Sequence, residues 1–380
     1  MDTDITEDQR ALLEVSSRFM EQTCPLEAVR DTARRDGAFD AAYRRQAAEL
    51  GWFSMLVPEA LGGGCVSGNG VLDATLLAYR RGSMLQPGPF VGTNVVADAV
   101  AAGGSDELRS AVLEALVNGE APGSWAVAAV GDTRPDGGVT ARPDGTGGYV
   151  LDGAKTAVQD VEASSWLLVT ARSDAGPVQV VVGAGAPGVT VTALDGLDLS
   201  RRFAEVRLDG VAVAASHVLG GGAALLQRQL AVAALLTAAE SVGTMDRELE
   251  VTVQYAKDRI AFGRPIGSFQ AIKHLLADTS LAVEMGKAVV LAAAGSLGTD
   301  DGYGPQAASM AKALVGEAAV ELAQNCFQVF GGIGYTWEHD QHLYLRRLTT
   351  DAGLFGDASW HREHLCQLSG LEGAGIEGAR

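Results

Sequence analysis

The sequence has no C-x-x-C pair, and its four cysteines, Cys24, Cys65, Cys326 and Cys366, lie far apart. That spacing offers neither a disulfide framework nor a thiolate zinc site, so four free thiols are expected. Basic charge is also short. Lysine and arginine number 29 against 47 aspartates and glutamates, a net charge of −18, and such a field repels phosphate backbones and anionic membrane surfaces. Neither nucleic acid nor membrane is expected as a partner. The start, MDTDITEDQRALLEV, is acidic and lacks a basic segment followed by an apolar run. No stretch of about 18 uncharged apolar residues stands out elsewhere, which makes the cytoplasm the expected location. No internal repeat is visible, and the Gly-rich end, 371–380, is expected to fray as a flexible tail.

What is present is enough apolar material, 47% of 380 residues, for two or three domains that share sizeable cores. Residues 1–120 read as a helical domain: EDQRALLEVSSRFMEQ, DAAYRRQAAELGWF and DELRSAVLEALVNGE place apolar residues three and four apart. Residues 121–220 change to short Val- and Thr-rich runs such as YVLDGAKTAV and VQVVVGAG, spaced by Gly, Asp and Pro, which predict a small β-barrel. Residues 221–370 return to helical spacing. One helix is expected from about residue 223 to 259, with two more alanine-rich helices after it, as in a four-helix bundle. The fold class is therefore α+β multidomain.

Two segments are more specific. YAKDRIAFGRPIGSFQAIKHLLAD at 255–278 closely resembles the helix-turn-helix signature of the acyl-CoA dehydrogenases, and QVFGGIGYTWEHDQHLYLRR at 328–347 resembles their Q-x-x-G-G-x-G-Y segment. Together with GWFSMLVPEALGGG near the start and the order helices, strands, helices, the resemblance spans essentially the whole chain.

The resemblance implies an FAD-dependent α,β-desaturation of an acyl-CoA thioester. In that chemistry a glutamate takes the α-proton while flavin takes the β-hydride. It also implies a cofactor shared between neighbouring subunits, reached in this sequence by Arg259, Phe262, Gln270, Gln328, Gly331 and Gly332. Arginine suits a pyrophosphate, phenylalanine the cofactor's apolar flank, and glycine a close backbone approach.

The other half of the family pattern departs. Where members carry a T-E-P-x-A-G-S-D type loop, this chain has AVAAVGDTRPDGGVTARPDG, and the W-I-T-N type segment is replaced by KTAVQDVEASSW. The family's catalytic glutamate falls on Gly356, nine residues beyond Arg347, and the alternative position used by some members falls on Ala233. Neither can abstract a proton. Asp357 and Glu240 are the substitute carboxylates; FGDAS also reads as a helix start with Asp357 as N-cap. The histidine pairs 339/342 and 361/364 have a ligand-like spacing of three, but no carboxylate or cysteine completes a metal set. Arginines in RRGSMLQPGPF and LDLSRRFAEVRLDG are candidates for CoA phosphates or for solvated charge.

The resemblance thus points to the base-lacking subunit of a heteromeric acyl-CoA dehydrogenase. Its expected partner is a homologous subunit that carries the glutamate, in an α2β2 heterotetramer, with an acyl-CoA as substrate, a steroid side-chain ester among the candidates. An electron-transfer flavoprotein or similar acceptor follows from the same resemblance. The rivals are a self-sufficient homotetramer using Asp357 and a flavin-free scaffold.

Overall fold

The computed structural model describes residues 5–32, 40–299 and 301–371, so nearly all of the tail expected at 371–380 lies outside the described residues. The first helices are α1 (Glu7–Thr23), α2 (Leu26–Thr32), α3 (Ala41–Glu49), α4 (Gly70–Ser83) and α5 (Phe90–Gly103). They start where side chains satisfy free backbone amides. Thr6 and Gln9 form a reciprocal capping box on α1, Asp40 accepts from the Ala42 amide, and Asn69 caps α4. A last helical stretch runs α6 (Asp106–Leu108), a π-wound turn (Arg109–Leu113) and α7 (Glu114–Val117). Phe19, Tyr43, Trp52 and Phe90 pack edge-on or tilted in this part's core, and the Arg81 guanidinium lies over Trp52 and Phe90 at 5.0 and 4.7 Å.

The strands are β1 (Gly123–Ala126), β2 (Val139–Pro143), β3 (Tyr149–Gln159), β4 (Trp166–Ser173), β5 (Gly176–Gly183), β6 (Val189–Leu194) and β7 (Phe203–Val213). They form one seven-stranded sheet in the order β1-β4-β2-β3-β7-β6, with β5 on the other edge of β4. Alternate residues, Leu167, Val169 and Ala171 on β4 and Val206 and Leu208 on β7, enclose a single core. The expected barrel is a partly open one, since β5 and β6 do not pair with each other. The outer face of its first strands is buried as well: Trp125, Leu168 and Val181 pack into the helical core. Burial on both faces explains why VQVVV reads as a continuous apolar run rather than an alternation.

The C-terminal helices are α8 (Gly222–Asp258), a tiny hairpin of β8 (Ile260–Ala261) and β9 (Arg264–Pro265), then α9 (Gln270–Thr299), α10 (Gly304–Phe330), α11 (Gln341–Gly353) and α12 (Ala358–Leu368). α8, α9, α10 and α11 make the bundle, and α12 lies on α10. By length and composition α8 and α9 could each cross a membrane, but the apolar window of α8 is 67% buried inside the protein, as in a core helix. Helices α4 and α8 cross at backbone contact. A Cβ on Gly82 would sit 1.9 Å from the Glu240 carbonyl oxygen, and one on Gly243 1.8 Å from that of Tyr79. Larger residues there would force the two parts of the molecule apart.

A buried ionic cluster ties all three parts together. Arg81 of α4 meets Glu240 of α8 at 3.4 Å; Arg201, from the loop before β7, meets Glu240 at 2.5 Å and also pairs with Asp351 of α11. Arg347 of α11 meets Asp198 at 2.5 Å and donates to the Ser200 hydroxyl at 2.6 Å. Burial pushes the Asp351 carboxyl up to about 6, against the pull of Arg201 and Arg347. Burial also acts on Asp198, but Arg347 and Arg201 outweigh it and hold that carboxyl below its ordinary value.

Candidate active site and cofactor surface

Where β1, β3, α8 and the α11–α12 turn converge, the chain forms a half-open cavity of about 630 Å³. Trp125, Val127, Leu230, Leu354, Phe355 and Trp360 give it an apolar wall, and Asp132, Arg134, Asp357 and Glu363 add charge. The rings of Trp125 and Phe355 stack nearly parallel at 5.8 Å. Phe355 holds this position with a left-handed backbone, φ +56. Two neighbours brace it: His361 contacts the Phe355 carbonyl oxygen at 3.1 Å through Nε2, and Lys312 donates to the carbonyls of Ala352 and Gly356 at 3.1 and 2.8 Å. Burial pushes Lys312 down to about 8 and His361 to about 3, the latter with help from Lys312 itself.

The opposite wall is a loop held by Lys155 of β3. Its fully buried ammonium donates to the carbonyls of Val127, Pro135 and Gly137 at 2.9, 3.0 and 2.5 Å. All three donors are used on one loop. Burial lowers Lys155 to about 7, partly countered by Asp136 and Asp132.

Gly356 sits in this cavity wall with φ +101. A Cβ there would meet Trp360 Cε3 at 2.5 Å and His361 Nε2 at 3.0 Å. The position therefore lacks a carboxylate and has no room or backbone geometry for one. Asp357 begins α12 as its N-cap, accepting from the Trp360 amide at 2.8 Å, with its side chain on the cavity rim. Ala233 is fully buried in α8, one turn from Leu230. Glu240 is held in the ionic cluster by Arg81 and Arg201.

The residues expected to meet a cofactor are gathered elsewhere. Arg259 caps the C-terminal end of α8, and Phe262, at the turn of the β8–β9 hairpin, is 95% exposed with φ +52. Gln270 opens α9, and Gln328, Gly331 and Gly332 lie where α10 ends; Gly331 stops that helix with φ +63 and ψ −140. All but the half-buried Gly331 are exposed. The Arg259 guanidinium pairs with nothing among the described residues, and a Cβ on Gly331 or Gly332 would meet nothing within 4 Å. A cation without an internal partner and open glycine backbone are both donors that a phosphate group can use. From Leu230 at the cavity to Arg259, α8 runs roughly 40 Å along its axis at 1.5 Å per residue.

Several sequence candidates have other duties. Arg81 and Arg201 are buried in the ionic cluster and so are not available to CoA phosphates, and Arg80 donates to Ser17 at 2.7 Å. His342 stacks on Trp337 and His339 lies against Phe330, while His361 contacts Ser309 and His364 stacks on Trp360. Sequence reasoning missed Lys155, Phe355 and Trp360. A lysine inside the alternating run YVLDGAKTAV was the available signal for the first; the other two depend on contacts with loops remote in sequence.

The three-part fold, its cavity at the sheet–bundle junction and an exposed cationic, glycine-rich surface at the far end of α8 define a flavin-linked oxidoreductase architecture. The chain belongs to the acyl-CoA dehydrogenase family: residues 6–120 match its N-terminal domain and residues 220–367 its C-terminal domain. It is 30% identical to acyl-CoA dehydrogenase IpdE2 of Mycolicibacterium smegmatis over 96% of this chain and 98% of that protein. It is 35% identical over 87% of its length to acyl-CoA dehydrogenase FadE34 of Mycobacterium tuberculosis, of which it spans 42%. Among solved structures, the ChsE4-ChsE5 complex from Mycobacterium tuberculosis superposes with a TM-score of 0.87 at 28% identity, covering 98% of this chain and 100% of that one. A variant of the Tcur3481-Tcur3483 steroid ACAD does so with 0.87 at 28%, covering 96% and 98%.

Proposed function

We propose that the chain is the base-lacking subunit of a heteromeric, FAD-dependent acyl-CoA dehydrogenase, and that it completes a partner subunit's FAD site in trans. The observation that carries this reading is the contrast between Gly356, walled in by Trp360 and His361, and Arg259, exposed and without an ion-pair partner roughly 40 Å away along α8. A cation so far from the chain's own cavity supports a role toward a neighbour. Here Arg259 binds and orients a pyrophosphate, Phe262 covers the cofactor's apolar side, and Gly331 and Gly332 admit its backbone-close approach. Bound FAD would supply the hydride acceptor of the reaction.

The partner brings the glutamate that removes the α-proton. The two solved structures described above are named as two-component assemblies, which supports an α2β2 arrangement, and one is named a steroid enzyme, which supports a bulky acyl-CoA as substrate. An electron-transfer flavoprotein or similar acceptor and a cytoplasmic location complete the reading.

The test is to co-express this chain with a glutamate-bearing homologue, count FAD per subunit, and follow flavin bleaching by acyl-CoA. One FAD per pair, with bleaching only in the complex and its loss in Arg259→Ala, is expected. One FAD per chain and bleaching without a partner would overturn the reading, and Asp357→Asn would then be the variant to examine.

A further inference from the structure

The hairpin that carries Phe262 is built against the ordinary preference of such a turn. β8 and β9 pair Ala261 with Arg264, so Phe262 and Gly263 are the two central residues, with φ +52 and +76. Two positive φ values are the pattern of a type I′ turn, where asparagine or aspartate before glycine is the usual choice. A phenylalanine there takes a left-handed backbone that suits its side chain poorly, and it leaves a ring 95% exposed. Neither the turn nor the core calls for it. The ring is nevertheless not loose. It stands nearly perpendicular to Phe269, with centroids 6.2 Å apart and planes at 84°, and the Arg264 guanidinium lies over the Phe269 ring at 4.1 Å. Phe269 is itself fixed at the start of α9: its amide donates to the Ile266 carbonyl oxygen at 3.1 Å, and its own carbonyl accepts from the Lys273 amide at 3.1 Å.

We propose that Phe269 and Arg264 are positioning residues for Phe262, a stacked pedestal that holds the ring in one orientation before the partner's cofactor arrives. The inference rests on the trans reading given above, and it asks neither residue to touch the FAD. An exposed ring on a two-residue turn would sample its staggered rotamers, and fixing it on binding would cost affinity. The edge-to-face contact narrows that choice in advance, and the planar guanidinium keeps Phe269 in turn from swinging away. Arg264 forms no ion pair among the described residues, so stacking on Phe269 is the contact its guanidinium makes. The left-handed backbone at Phe262 thereby places a ring outside the fold's own core, at a point of the chain between Arg259 and Gln270.

The experiment has two parts. In the isolated full chain, para-fluorophenylalanine incorporated at position 262 reports the ring by fluorine NMR, in the wild type and in Phe269→Ala, Phe269→Tyr and Arg264→Gln. The expected result is a signal that narrows and moves toward that of the unfolded chain in Phe269→Ala, keeps its place in Phe269→Tyr, and moves part of the way in Arg264→Gln. In the heteromer with a glutamate-bearing homologue, Phe269→Ala should weaken FAD by about three- to tenfold, the worth of one edge-to-face pair, and Phe269→Tyr should retain it. That loss should vanish in a Phe262→Ala background, which a general loosening of α9 would not produce. An unchanged fluorine signal in Phe269→Ala, or an equal loss of FAD with and without the Phe262 ring, would overturn the pedestal while leaving the trans reading standing. An FAD affinity indifferent to both Arg259→Ala and Phe262→Ala would overturn the trans reading, and the pedestal's purpose with it.

Discussion

The two ends of α8 differ in how their side chains are employed. At the Leu230 end every wall is braced by the chain itself: Lys155 on three carbonyls, Lys312 on two, and Trp360 tied to Thr133. At the Arg259 end the Arg259 guanidinium has no partner among the described residues, and Phe262 is almost wholly exposed, its ring edge-on to Phe269. A phenylalanine in left-handed backbone occurs at both, Phe355 on one side and Phe262 on the other. At the first end strain is repaid by contacts within the fold. At the second, Phe262 meets Phe269 edge-on but stays 95% exposed.

The most damaging way to challenge this contrast is Gly356→Glu. With φ +101 and an indole carbon 2.5 Å from the new Cβ, the variant should lose about 2–4 kcal/mol of stability in urea unfolding, and it should gain no acyl-CoA-dependent bleaching. Recovered activity without lost stability would show that the closed end is a working centre. At the open end, Arg259→Ala should weaken FAD in the heteromer by roughly a hundredfold, as for a charged hydrogen-bond pair, while the Tm of the isolated chain stays the same. A fall in that Tm would mean the guanidinium has an internal role.

Between the ends, Glu248 of α8 is fully buried with Gln341 as its partner, and burial pushes its carboxyl up to about 8. The folded state holds a proton there that the unfolded chain releases near its ordinary 4.5, so the carboxyl's contribution is intact below pH 4.5 and is lost as the pH rises through 8. Glu248→Gln should therefore be close to neutral at pH 4.5 and stabilise by roughly 1–4 kcal/mol at pH 8, read from urea midpoints. The smallest effect belongs to Phe262→Ala, which should move the isolated chain by less than about 0.5 kcal/mol because its ring is already in water. A larger loss would count against an outward-facing role.

Much of the architecture was legible in the sequence because it is local. Helical spacing located the long helix at about 223–259, and the structure has it at Gly222–Asp258. Val- and Thr-rich runs marked the sheet, and two signatures identified the family. What could not be read is what depends on remote neighbours. Arg81 and Arg201 looked like candidates for phosphate because a buried arginine and a solvated one are spelled alike, and their partners lie far along the chain in Glu240 and Asp351. The glycine at 356 was visible in the sequence. Its closure was not, since φ and the approach of Trp360 are properties of the folded turn.

The ionic cluster at the junction has a consequence for the order of events during synthesis. Arg81 leaves the ribosome long before Glu240, and Asp351 emerges only when the chain is nearly finished. Until Glu240 is made, the first helices carry an arginine that is destined for the interior and lacks that counter-charge, a state that burial penalises heavily. Charge pairing of the amino-terminal third therefore waits for α8, and that of the Arg201 loop for α11.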